Sequence, residues 1–481
     1  MTAHRDMFVE GRWQRLDGSE RIPVHEAATE GRIGTVGVAG LLDVDRAVRS
    51  AHTAFTCGPW SHSTPIERAA VLDRLATELE RRAEATATLV SRQNGTPITL
   101  SRLANGAGPA ETFRRYAELV ADQDPEELRP SPSGATLVRR EPVGVVAAIT
   151  PWNFPQALAA MKLGPALALG CSVVLKPALE TTLDAAVFAE AAAAAGLPDG
   201  VLNILPGGAD TGSALVGHPL VDKVAFTGST AAGRAIGAQC GQRIRACTLE
   251  LGGKSASIVL DDVDLPAFVA GLAESSFRNN GQTCAIQARI LAPRSRHDEV
   301  LQAVAEFADG LVVGDPLDPA TTCGPMVSAV HRDRVRNHIE RALERGARAV
   351  AGGVGRPAGR DRGWFIRPTV LTGVSPQDPI ARDEVFGPVV VVLPYDDVDE
   401  AVALANDSDY GLGGSVWTRD EPRGLEVARR VRTGTIGVNY YRLDPGAPFG
   451  GIKDSGLGRE MGPEGLDAYV EYKSIYVGEV A

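Results

Sequence analysis

The chain has 481 residues, of which 44% are hydrophobic and 23% charged, the balance of an ordinary globular protein with a sizeable core. Its formal net charge of −11 and its pI of about 5.4 argue against nucleic acid and anionic membranes as partners. No apolar run reaches the length of a membrane-spanning helix. The six cysteines lack CxxC spacing, so neither a disulfide framework nor a metal site is indicated.

The start of the chain, Met1 to Asp6, lacks the apolar core of a signal peptide. Cysteines without a pairing pattern are typical of a reducing compartment. We therefore expect a cytoplasmic protein.

Short strands and turns are predicted over residues 7–40, and a helical period begins at Val44. Thr64-Pro65-Ile66-Glu67 is a helix start, with a capping residue, a proline in the first turn and a glutamate three residues after the cap. One helix is predicted from there to Gly95. Between about Gln123 and Arg140 the chain is rich in Pro, Glu and Ser, which indicates an excursion from the body of the protein.

Apolar, partly β-branched runs then alternate with alanine-rich helical segments. The predicted strands are Val143–Ile149, Ser172–Leu175, Val201–Leu205, Lys223–Phe226 and Ala246–Leu249. The predicted helices between them include Leu183–Ala195 and Thr230–Gln239. This alternation is the pattern of a parallel, doubly wound α/β sheet with right-handed crossovers.

The pattern begins again after Leu260. Helices are predicted at about 265–280, 297–309 and 328–345, and strands at 287–292, 349–351, 368–371 and 389–393. A second α/β domain therefore starts near residue 250. The chain ends in a strand-like, tyrosine-rich segment from Ala468 to Val477.

One stretch places a single thiol, Cys284, after a polar loop that contains Gly281. A lone cysteine in such a setting is a candidate nucleophile. The alternative is a small buried apolar side chain, as most intracellular cysteines are.

Three polar residues follow or end predicted strands, and ligands of open α/β sheets gather at that edge. Asn153 carries an amide that can donate to a developing oxyanion. Glu250 precedes two glycines and can act as a general base. Lys176 places an ammonium where a phosphate or ribose hydroxyls could bind. Taken singly, Glu250 could be an ordinary surface glutamate, and Asn153 could belong to a rigid aromatic loop with no chemical role.

Phe226 to Gly233 reads as a strand end, a Gly/Ser/Thr turn and a helix start. Backbone N–H groups and the helix dipole there favour an anionic group such as a pyrophosphate. The glycine spacing is GxxxxG with no lysine after it, so it matches neither the GxGxxG fingerprint nor a P-loop. A plain βα turn is the alternative.

Together these segments resemble the NAD(P)-dependent, non-acylating members of the aldehyde dehydrogenase superfamily, from about Phe8 to the C-terminus. The motifs that carry the resemblance are ITPWNFP at 149–155, LKP at 175–177, FTGST at 226–230, LELGGKS at 249–255, NNGQTC at 279–284, EVFGP at 384–388 and PFGGIKDSGLGRE at 448–460. All of them stand in the order found in the family, which chance does not explain.

The resemblance implies that Cys284 attacks an aldehyde carbonyl and forms a thiohemiacetal. Its oxyanion would be held by the backbone N–H of Cys284 and the amide of Asn153. Hydride transfer to the nicotinamide ring would give a thioester, and Glu250 would activate the water that hydrolyses it to a carboxylic acid. Lys162 and Glu460 match residues thought to relay the proton away from Glu250.

The implied cofactor is NAD, with NADP possible. The cofactor-binding positions that the resemblance assigns are Ile149, Thr150, Pro151, Trp152, Lys176, Leu179, Gly228, Ser229, Gly233, Leu251, Gly252, Glu384 and Phe386. NAD-preferring members often carry a glutamate three residues after the lysine, where this chain has Leu179, and Glu180 comes one place late. Repulsion of a 2′-phosphate is thereby weakened, but the nearby Asp210 would disfavour one, so NAD is expected.

The family fold implies an α/β protein of three parts. These are a Rossmann-like cofactor domain of residues 1–122 and 143–250, a catalytic domain of residues 251–455, and a small β oligomerisation flap of residues 123–142 and 456–481. The flap pairs with a neighbour's sheet in the family, so a homodimer or homotetramer is expected. Exposed strand edges are usually covered, which agrees with that expectation.

The substrate implied is a small-molecule aldehyde. Phe154, Leu158 and Met161 match positions that line the aldehyde tunnel in relatives, and all are apolar. Ile286 and the loop 440–444 add bulk and one cation, Arg442. This character favours an aliphatic or aromatic aldehyde. Arg442 could instead recruit the carboxylate of a semialdehyde, although arginines are mostly solvent-facing.

Three rival functions fit less well. A cysteine hydrolase needs a histidine base, and none of the eight histidines lies in a recognisable partner motif. A dehydrogenase that forms a CoA thioester typically lacks the glutamate that Glu250 matches. A catalytically silent protein of the same fold would be expected to have lost Cys284 or Asn153.

Overall fold

The computed structural model describes residues 6–16, 20–132 and 134–478. Residues 1–5, on which the expectation of no signal peptide rests, and the last residues of the predicted flap, 479–481, lie outside the described residues. Within it, no helix is both long and apolar enough to cross a membrane.

Twenty strands are present in the described part of the chain. They are β1 (Met7–Val9), β2 (Arg12–Gln14), β3 (Arg21–His25), β4 (Arg32–Gly37), β5 (Glu126–Ser131), β6 (Gly134–Pro142), β7 (Val145–Ile149), β8 (Ser172–Lys176), β9 (Leu202–Ile204), β10 (Lys223–Thr227), β11 (Ala246–Glu250), β12 (Ala256–Val259), β13 (Arg289–Pro293), β14 (Arg348–Ala351), β15 (Thr369–Thr372), β16 (Val389–Tyr395), β17 (Gly414–Trp417), β18 (Gly437–Val438), β19 (Gly456–Leu457) and β20 (Val470–Gly478).

Sixteen α-helices accompany these strands in the same residues. They are α1 (Leu41–Cys57), α2 (Pro65–Arg81), α3 (Ala83–Asn94), α4 (Ile98–Ser101), α5 (Gly108–Ala121), α6 (Pro155–Ala168), α7 (Ala186–Ala195), α8 (Ala209–Gly217), α9 (Thr230–Gln242), α10 (Leu265–Ser275), α11 (His297–Asp309), α12 (Ala329–Glu344), α13 (Pro379–Arg382), α14 (Val398–Asn406), α15 (Glu421–Arg430) and α16 (Glu464–Asp467).

The first sheet has the order β19-β11-β10-β7-β8-β9-β1-β2. Strands β11, β10, β7, β8 and β9 are parallel, and the outer strands are antiparallel. Alternate residues of β7 enter two different cores: Val146 and Ala148 face one, and Val145, Ala147 and Ile149 face the other. Both faces are therefore covered, as a buried parallel sheet requires. The predicted doubly wound α/β sheet is confirmed.

The second sheet has the order β14-β15-β16-β13-β12-β17-β18 and is parallel except for β14. It too separates two cores, with Ile258 and Leu291 on one side and Val259 and Ile290 on the other. The second α/β unit predicted after residue 250 is thus present.

A third sheet, β20-β6-β5, is antiparallel and stands away from the cores. It contains the Pro-rich excursion of residues 123–142. Of the second segment expected in the flap, 456–481, only β20 joins this sheet. Residues 456–457 pair with β11 instead, and Leu466 and Tyr469 pack into the core of the first sheet.

The structure departs from the predicted helices in several places. Helices α5, α8, α14 and α15 were not predicted, and the helix expected at about 265–280 ends at Ser275, before the left-handed residues Asn279 and Asn280. The single helix expected from Thr64 to Gly95 is broken at Arg82, giving α2 and α3, because the backbone at Arg82 (φ −105°, ψ 0°) turns the chain. Helix α6 was not predicted as a helix at all. Nearly all of its residues are buried, so it lacks the one-sided apolar stripe from which a helix is recognised.

Candidate active site

Cys284 follows a loop whose backbone is left-handed at three successive residues. Asn279, Asn280 and Gly281 have φ values of 51°, 60° and 73°. Asparagine and glycine adopt this conformation more easily than other residues do, which accounts for the Asn-Asn-Gly sequence before the thiol. The Asn280 amide donates to the backbone carbonyl of Gly95 (2.8 Å) and accepts from the N–H of Gly324 (2.6 Å). The loop is therefore fixed from two sides.

The structure brings Asn153 to this loop. Asn153 is buried, and its Nδ2 donates to the backbone oxygen of Gln282 over 3.0 Å. The backbone carbonyl of Asn153 accepts from the side-chain amides of Asn94 (3.1 Å) and Asn279 (3.0 Å). A side-chain amide has two N–H groups, so one remains for the cavity that Asn153 and Cys284 both line.

That cavity has a volume of about 190 Å³ and mostly apolar walls. Apolar side chains that line it, several of them predicted, are Phe154, Leu158, Met161, Ile286, Tyr441, Leu443, Phe449 and Met461. From the predicted loop 440–444, residues 441–443 contribute to the lining. Charged residues also line it, and these are Glu111, Arg115, Glu274, Arg278 and Arg442.

One wall of the cavity was missed by the sequence reasoning. It is a face of α5 formed by Thr112, Arg115, Tyr116 and Leu119. Their helical spacing is visible in the sequence. Such a face normally indicates core packing, so the spacing alone could not assign it to a site.

Glu250 ends β11 and is 2% exposed. Neither carboxylate oxygen has a hydrogen-bond partner among the described residues. Burial, and then the negative charge of Glu460, raise the pKa of Glu250 well above its ordinary value, while Lys162 opposes the shift. A buried carboxyl group with a raised pKa and free oxygens can accept a proton from water.

Lys162 and Glu460, the two residues expected to relay a proton, lie together in a fully buried pair. The Lys162 ammonium donates to Glu460 Oε1 and to Thr227 Oγ1, each over 2.6 Å. Thr227, at the end of β10, was not among the predicted site residues. No direct hydrogen bond joins this pair to Glu250 in the part of the chain that the structure describes, so their coupling is electrostatic.

The Cys284 thiol is half-buried. Burial raises its pKa to about 12, and the negative charges of Glu384 and Glu250 add to the shift. Because the thiolate is the reactive form, this thiol needs a base to take its proton at neutral pH.

Alkylation by iodoacetamide tests that state of the thiol in the cofactor-free protein. Below the pKa the thiolate fraction rises about tenfold per pH unit, so labelling of the Cys284 peptide should rise by about that factor per unit between pH 7 and 9. Peptide mass spectrometry measures it. At a pH where Glu250 is ionised, Glu250→Gln removes one negative neighbour of the thiol, so alkylation of Cys284 should be faster there. A rate that levels off below pH 8 would contradict the raised pKa.

The predicted cofactor residues of the first sheet lie at one edge. Residues 149–152 end or follow β7, Lys176 ends β8, residues 228–229 follow β10, and residues 251–252 follow β11. Leu179 lies in a short 3₁₀ turn after β8. The N-terminus of α9 opens onto this edge, and Ser229 Oγ caps it by accepting from the N–H of Ala232.

Close packing explains two of the glycines at this edge. A Cβ at Gly233 would lie 2.3 Å from Leu251, and one at Gly252 would lie 2.4 Å from Glu384 Oε2. At the end of β8, the Lys176 ammonium donates to the carbonyls of Pro177 (3.1 Å) and Gly207 (2.7 Å). Burial lowers the pKa of Lys176 to about 8.

At this edge Trp152 also contacts two residues of the second α/β unit, His331 and Phe386. The ring of Trp152 is 5.3 Å from that of Phe386 and 5.1 Å from that of His331. Burial lowers the pKa of His331 to about 4, so the neutral imidazole can donate from Nε2 to the Phe386 carbonyl over 2.7 Å. His331 was not predicted, because no motif surrounds it.

Glu384 completes this group. Its Oε1 accepts from the N–H of Gly253 over 3.0 Å, and burial raises the pKa of Glu384 to about 7. The Lys176 ammonium and the N-terminus of α9 suit the phosphates of a nicotinamide dinucleotide. The Glu384 carboxylate and the rings of Trp152 and Phe386 suit its ribose hydroxyls. The residues present therefore suit the expected cofactor.

Known proteins resemble this chain over nearly its whole length. A family model described as the aldehyde dehydrogenase family matches residues 13–475. The geranial dehydrogenase of Castellaniella defragrans is 51% identical over 475 residues, which cover 98% of this chain and 99% of that protein.

Two solved structures agree with this. The aldehyde dehydrogenase of Mycobacterium tuberculosis in complex with NAD+ is 45% identical, with a TM-score of 0.97 over 100% of this chain and 99% of that one. A cysteine-to-alanine variant of a Pseudomonas syringae aldehyde dehydrogenase, in complex with NAD+ and octanal, is 38% identical, with a TM-score of 0.95 over 98% and 96% of the two chains. The chain therefore belongs to the aldehyde dehydrogenase family, oxidoreductases that act on aldehydes.

Proposed function

We propose that this enzyme oxidises an uncharged aliphatic or aromatic aldehyde to the carboxylic acid, with NAD as cofactor and Cys284 as nucleophile. One observation carries the proposal: Cys284 and Asn153 line the same apolar cavity, with the unpaired carboxyl group of Glu250 nearby. The test is cofactor reduction across a panel of aldehydes, with a Cys284 variant as control.

In this proposal the Cys284 sulfur bonds to the aldehyde carbon while its proton passes to a base, for which Glu250 and Glu384 are the neighbouring carboxylates. The carbonyl oxygen becomes an oxyanion, and Asn153 holds it with the amide N–H that Gln282 leaves free. A donor placed where charge develops contributes a factor of about 10² to 10³ to kcat. The nicotinamide ring supplies the hydride acceptor when it is bound.

Glu250 then takes a proton from water as the water oxygen bonds to the thioester carbon and the Cys284 sulfur leaves. The free oxygens of Glu250 suit that role, because no hydrogen bond within the protein has to be broken. We propose that the Glu460 carboxylate accepts the proton next, through its Oε2, which is unpaired in the described part of the chain, while the Lys162 ammonium, held by Thr227, stabilises its charge.

For the cofactor we propose that Lys176, Ser229 and the N-terminus of α9 hold the phosphate and adenosine-ribose end. Gly228, Gly233, Leu251 and Gly252 shape the floor, and residues 149–151 and Leu179 form the adjoining walls. Trp152, Glu384 and Phe386 would position the nicotinamide ribose. The relatives of known structure bound to NAD+ support the choice of cofactor.

NAD should bind more tightly than NADP, by about tenfold or more in Kd. Glu180 is exposed and close enough to raise the pKa of Lys176 in part, and Asp210 lies in the first turn of α8. The negative charges of Glu180 and Asp210 repel the 2′-phosphate of NADP. A difference of about 1.4 kcal/mol in binding free energy is enough for a tenfold difference in Kd. Titration calorimetry measures the Kd of NAD and of NADP. In Glu180→Gln the two Kd values should lie closer together. Tighter binding of NADP by the wild type would refute this preference.

The substrate class rests on the apolar lining of the cavity. Relatives named for geranial and phenylacetaldehyde, and the octanal complex, support an uncharged aldehyde. Arg442, the group that could recruit a semialdehyde, already lies 3.8 Å from Glu274. An uncharged substrate is therefore favoured over a semialdehyde.

We also propose a homodimer or homotetramer formed through the third sheet. Strand β20 exposes Tyr472, Ile475 and Tyr476 along its length, and large exposed apolar groups mark interfaces. Sedimentation velocity tests the assembly. Free cysteines, Cys57 among them, suit the cytoplasm as compartment.

For the domains we propose a cofactor domain of residues 1–122 and 143–250, a catalytic domain of residues 251–455, and a flap of residues 123–142 and β20. Residues 456–469, which were also expected in the flap, pack against the first sheet instead.

A further inference from the structure

Three charged residues that line the apolar cavity form one ion-pair cluster, which we call the mouth cluster: Glu274, Arg278 and Arg442. Glu274 Oε2 makes a close ion pair with Arg278, and Glu274 Oε1 lies 3.8 Å from an Arg442 nitrogen. One carboxylate thus serves two guanidinium groups. The side chains are 38%, 26% and 57% exposed, so the cluster lies at the solvent end of the cavity.

The positions of these residues follow from separate parts of the chain. Glu274 is in the last turn of α10, and Arg278 is four residues later, at the start of the loop that leads to Cys284. The Arg278 guanidinium also lies 6.0 Å from the centre of the Phe154 ring, which restricts its movement. Arg442 comes from the loop after β18.

A cavity whose entrance carries two arginines would ordinarily attract an anionic substrate. Arginine binds carboxylates through paired hydrogen bonds, and an aldehyde with a carboxylate at its far end could use them. Here the protein's own carboxylate occupies that place. An incoming carboxylate would meet the like charge of Glu274 and would have to displace it.

We propose that Glu274 determines specificity by occupying Arg278 and Arg442, so that aldehydes with an anionic far end are excluded and uncharged ones admitted. This inference rests on the proposed function. It assigns a role in substrate selection to a residue that does not touch the reacting atoms.

The test compares hexanal with 6-oxohexanoate, its equivalent with a terminal carboxylate, in the wild type and in Glu274→Gln. For hexanal, kcat/KM should stay within about twofold. For 6-oxohexanoate, kcat/KM should rise about tenfold or more, mainly through a lower KM, because the two guanidinium groups become available. The gain should shrink as KCl is added, since the new contact is partly exposed.

The matched control is the double variant Glu274→Gln/Arg442→Ala, in which the gain for 6-oxohexanoate should be largely lost. A merely structural brace between α10 and the Cys284 loop would behave differently. Its removal would lower kcat for both aldehydes alike, and that result would overturn the proposal. The proposal would also be overturned if Glu274→Gln oxidised hexanal normally and kept the wild-type ratio of kcat/KM between hexanal and 6-oxohexanoate.

A binding measurement separates this inference from the proposed function. Adipate, with two carboxylates and no aldehyde, can be titrated calorimetrically whether or not the enzyme turns over. Glu274→Gln should bind adipate at least about tenfold more tightly than the wild type, while hexanoate, with one carboxylate, should gain less. Equal affinity for adipate in the two proteins would refute the role of Glu274, whereas loss of all aldehyde oxidation in the wild type would refute only the proposed reaction.

Discussion

Replacing Cys284 with serine should abolish aldehyde-dependent reduction of NAD, lowering kcat by about 10⁴-fold or more, as loss of a covalent nucleophile does in other enzymes. A serine hydroxyl is far less acidic than a thiol. The site offers Glu250 and Glu384 as bases but no histidine hydrogen-bonded to residue 284 among the described residues. Absorbance of the reduced cofactor, followed with octanal, geranial and phenylacetaldehyde, measures the loss.

The fold should be unaffected by this substitution, because the thiol makes no hydrogen bond that is needed to hold its loop. The loop is fixed by Asn279, Asn280 and Gln282 instead. NAD affinity and the thermal midpoint should therefore match the wild type. The exposed Cys57 provides a matched control, since Cys57→Ser should keep full activity. Residual turnover above about a tenth of the wild-type rate would rule out Cys284 as the nucleophile.

The sequence motifs predicted where several expected site residues lie, because the fold gathers strand ends at one edge. Asn153, Lys176 and Glu250 are far apart in the chain, yet each follows or ends a strand of the first sheet. Parallel strands bring their carboxyl ends together, so locating the strands was enough to place these residues at one edge of the sheet. Their individual roles remain proposals.

What the sequence could not supply depends on contacts between distant residues. The pairing of Glu274 with Arg442 depends on how a helix end and a loop meet across the cavity, and no local pattern encodes it. His331 contributes through a single contact with the Phe386 carbonyl. The raised pKa of Glu250 requires knowledge that both its oxygens are buried without partners. Propensity and periodicity carry none of this information.

Replacing Glu250 with glutamine should separate the two halves of the reaction. Acyl transfer to Cys284 should proceed, but hydrolysis of the thioester should slow by about 10² to 10⁴-fold, the contribution of a general base. Rapid mixing with octanal should give a burst of one reduced cofactor per active site, followed by near arrest. Intact-protein mass spectrometry should then find one acyl group per chain, attached at Cys284.

The pH dependence of hydrolysis should change in the same variant. The working form of Glu250 is the carboxylate, and its pKa is raised well above the ordinary value. In the wild type, release of the acyl group should therefore accelerate as pH rises through that raised pKa. In Glu250→Gln the rate of release should no longer increase over that pH range. The variant should be at least as stable as the wild type at pH 8, since ionisation of a carboxyl group whose folded-state pKa is raised opposes folding above the unfolded pKa.

Chemical rescue decides whether only water activation is lost. Acyl-enzyme freed of excess aldehyde should release its acyl group when hydroxylamine is added, because that nucleophile needs no base to attack a thioester. If Glu250→Gln gave neither a burst nor an acyl adduct, Glu250 would be required before the thioester forms, as the base that deprotonates Cys284. The raised pKa of the Cys284 thiol makes its deprotonation the main alternative role for Glu250. The burst distinguishes the two roles. If Glu250 serves only in hydrolysis, the first turnover is intact in the variant, and if Glu250 deprotonates Cys284, it is lost.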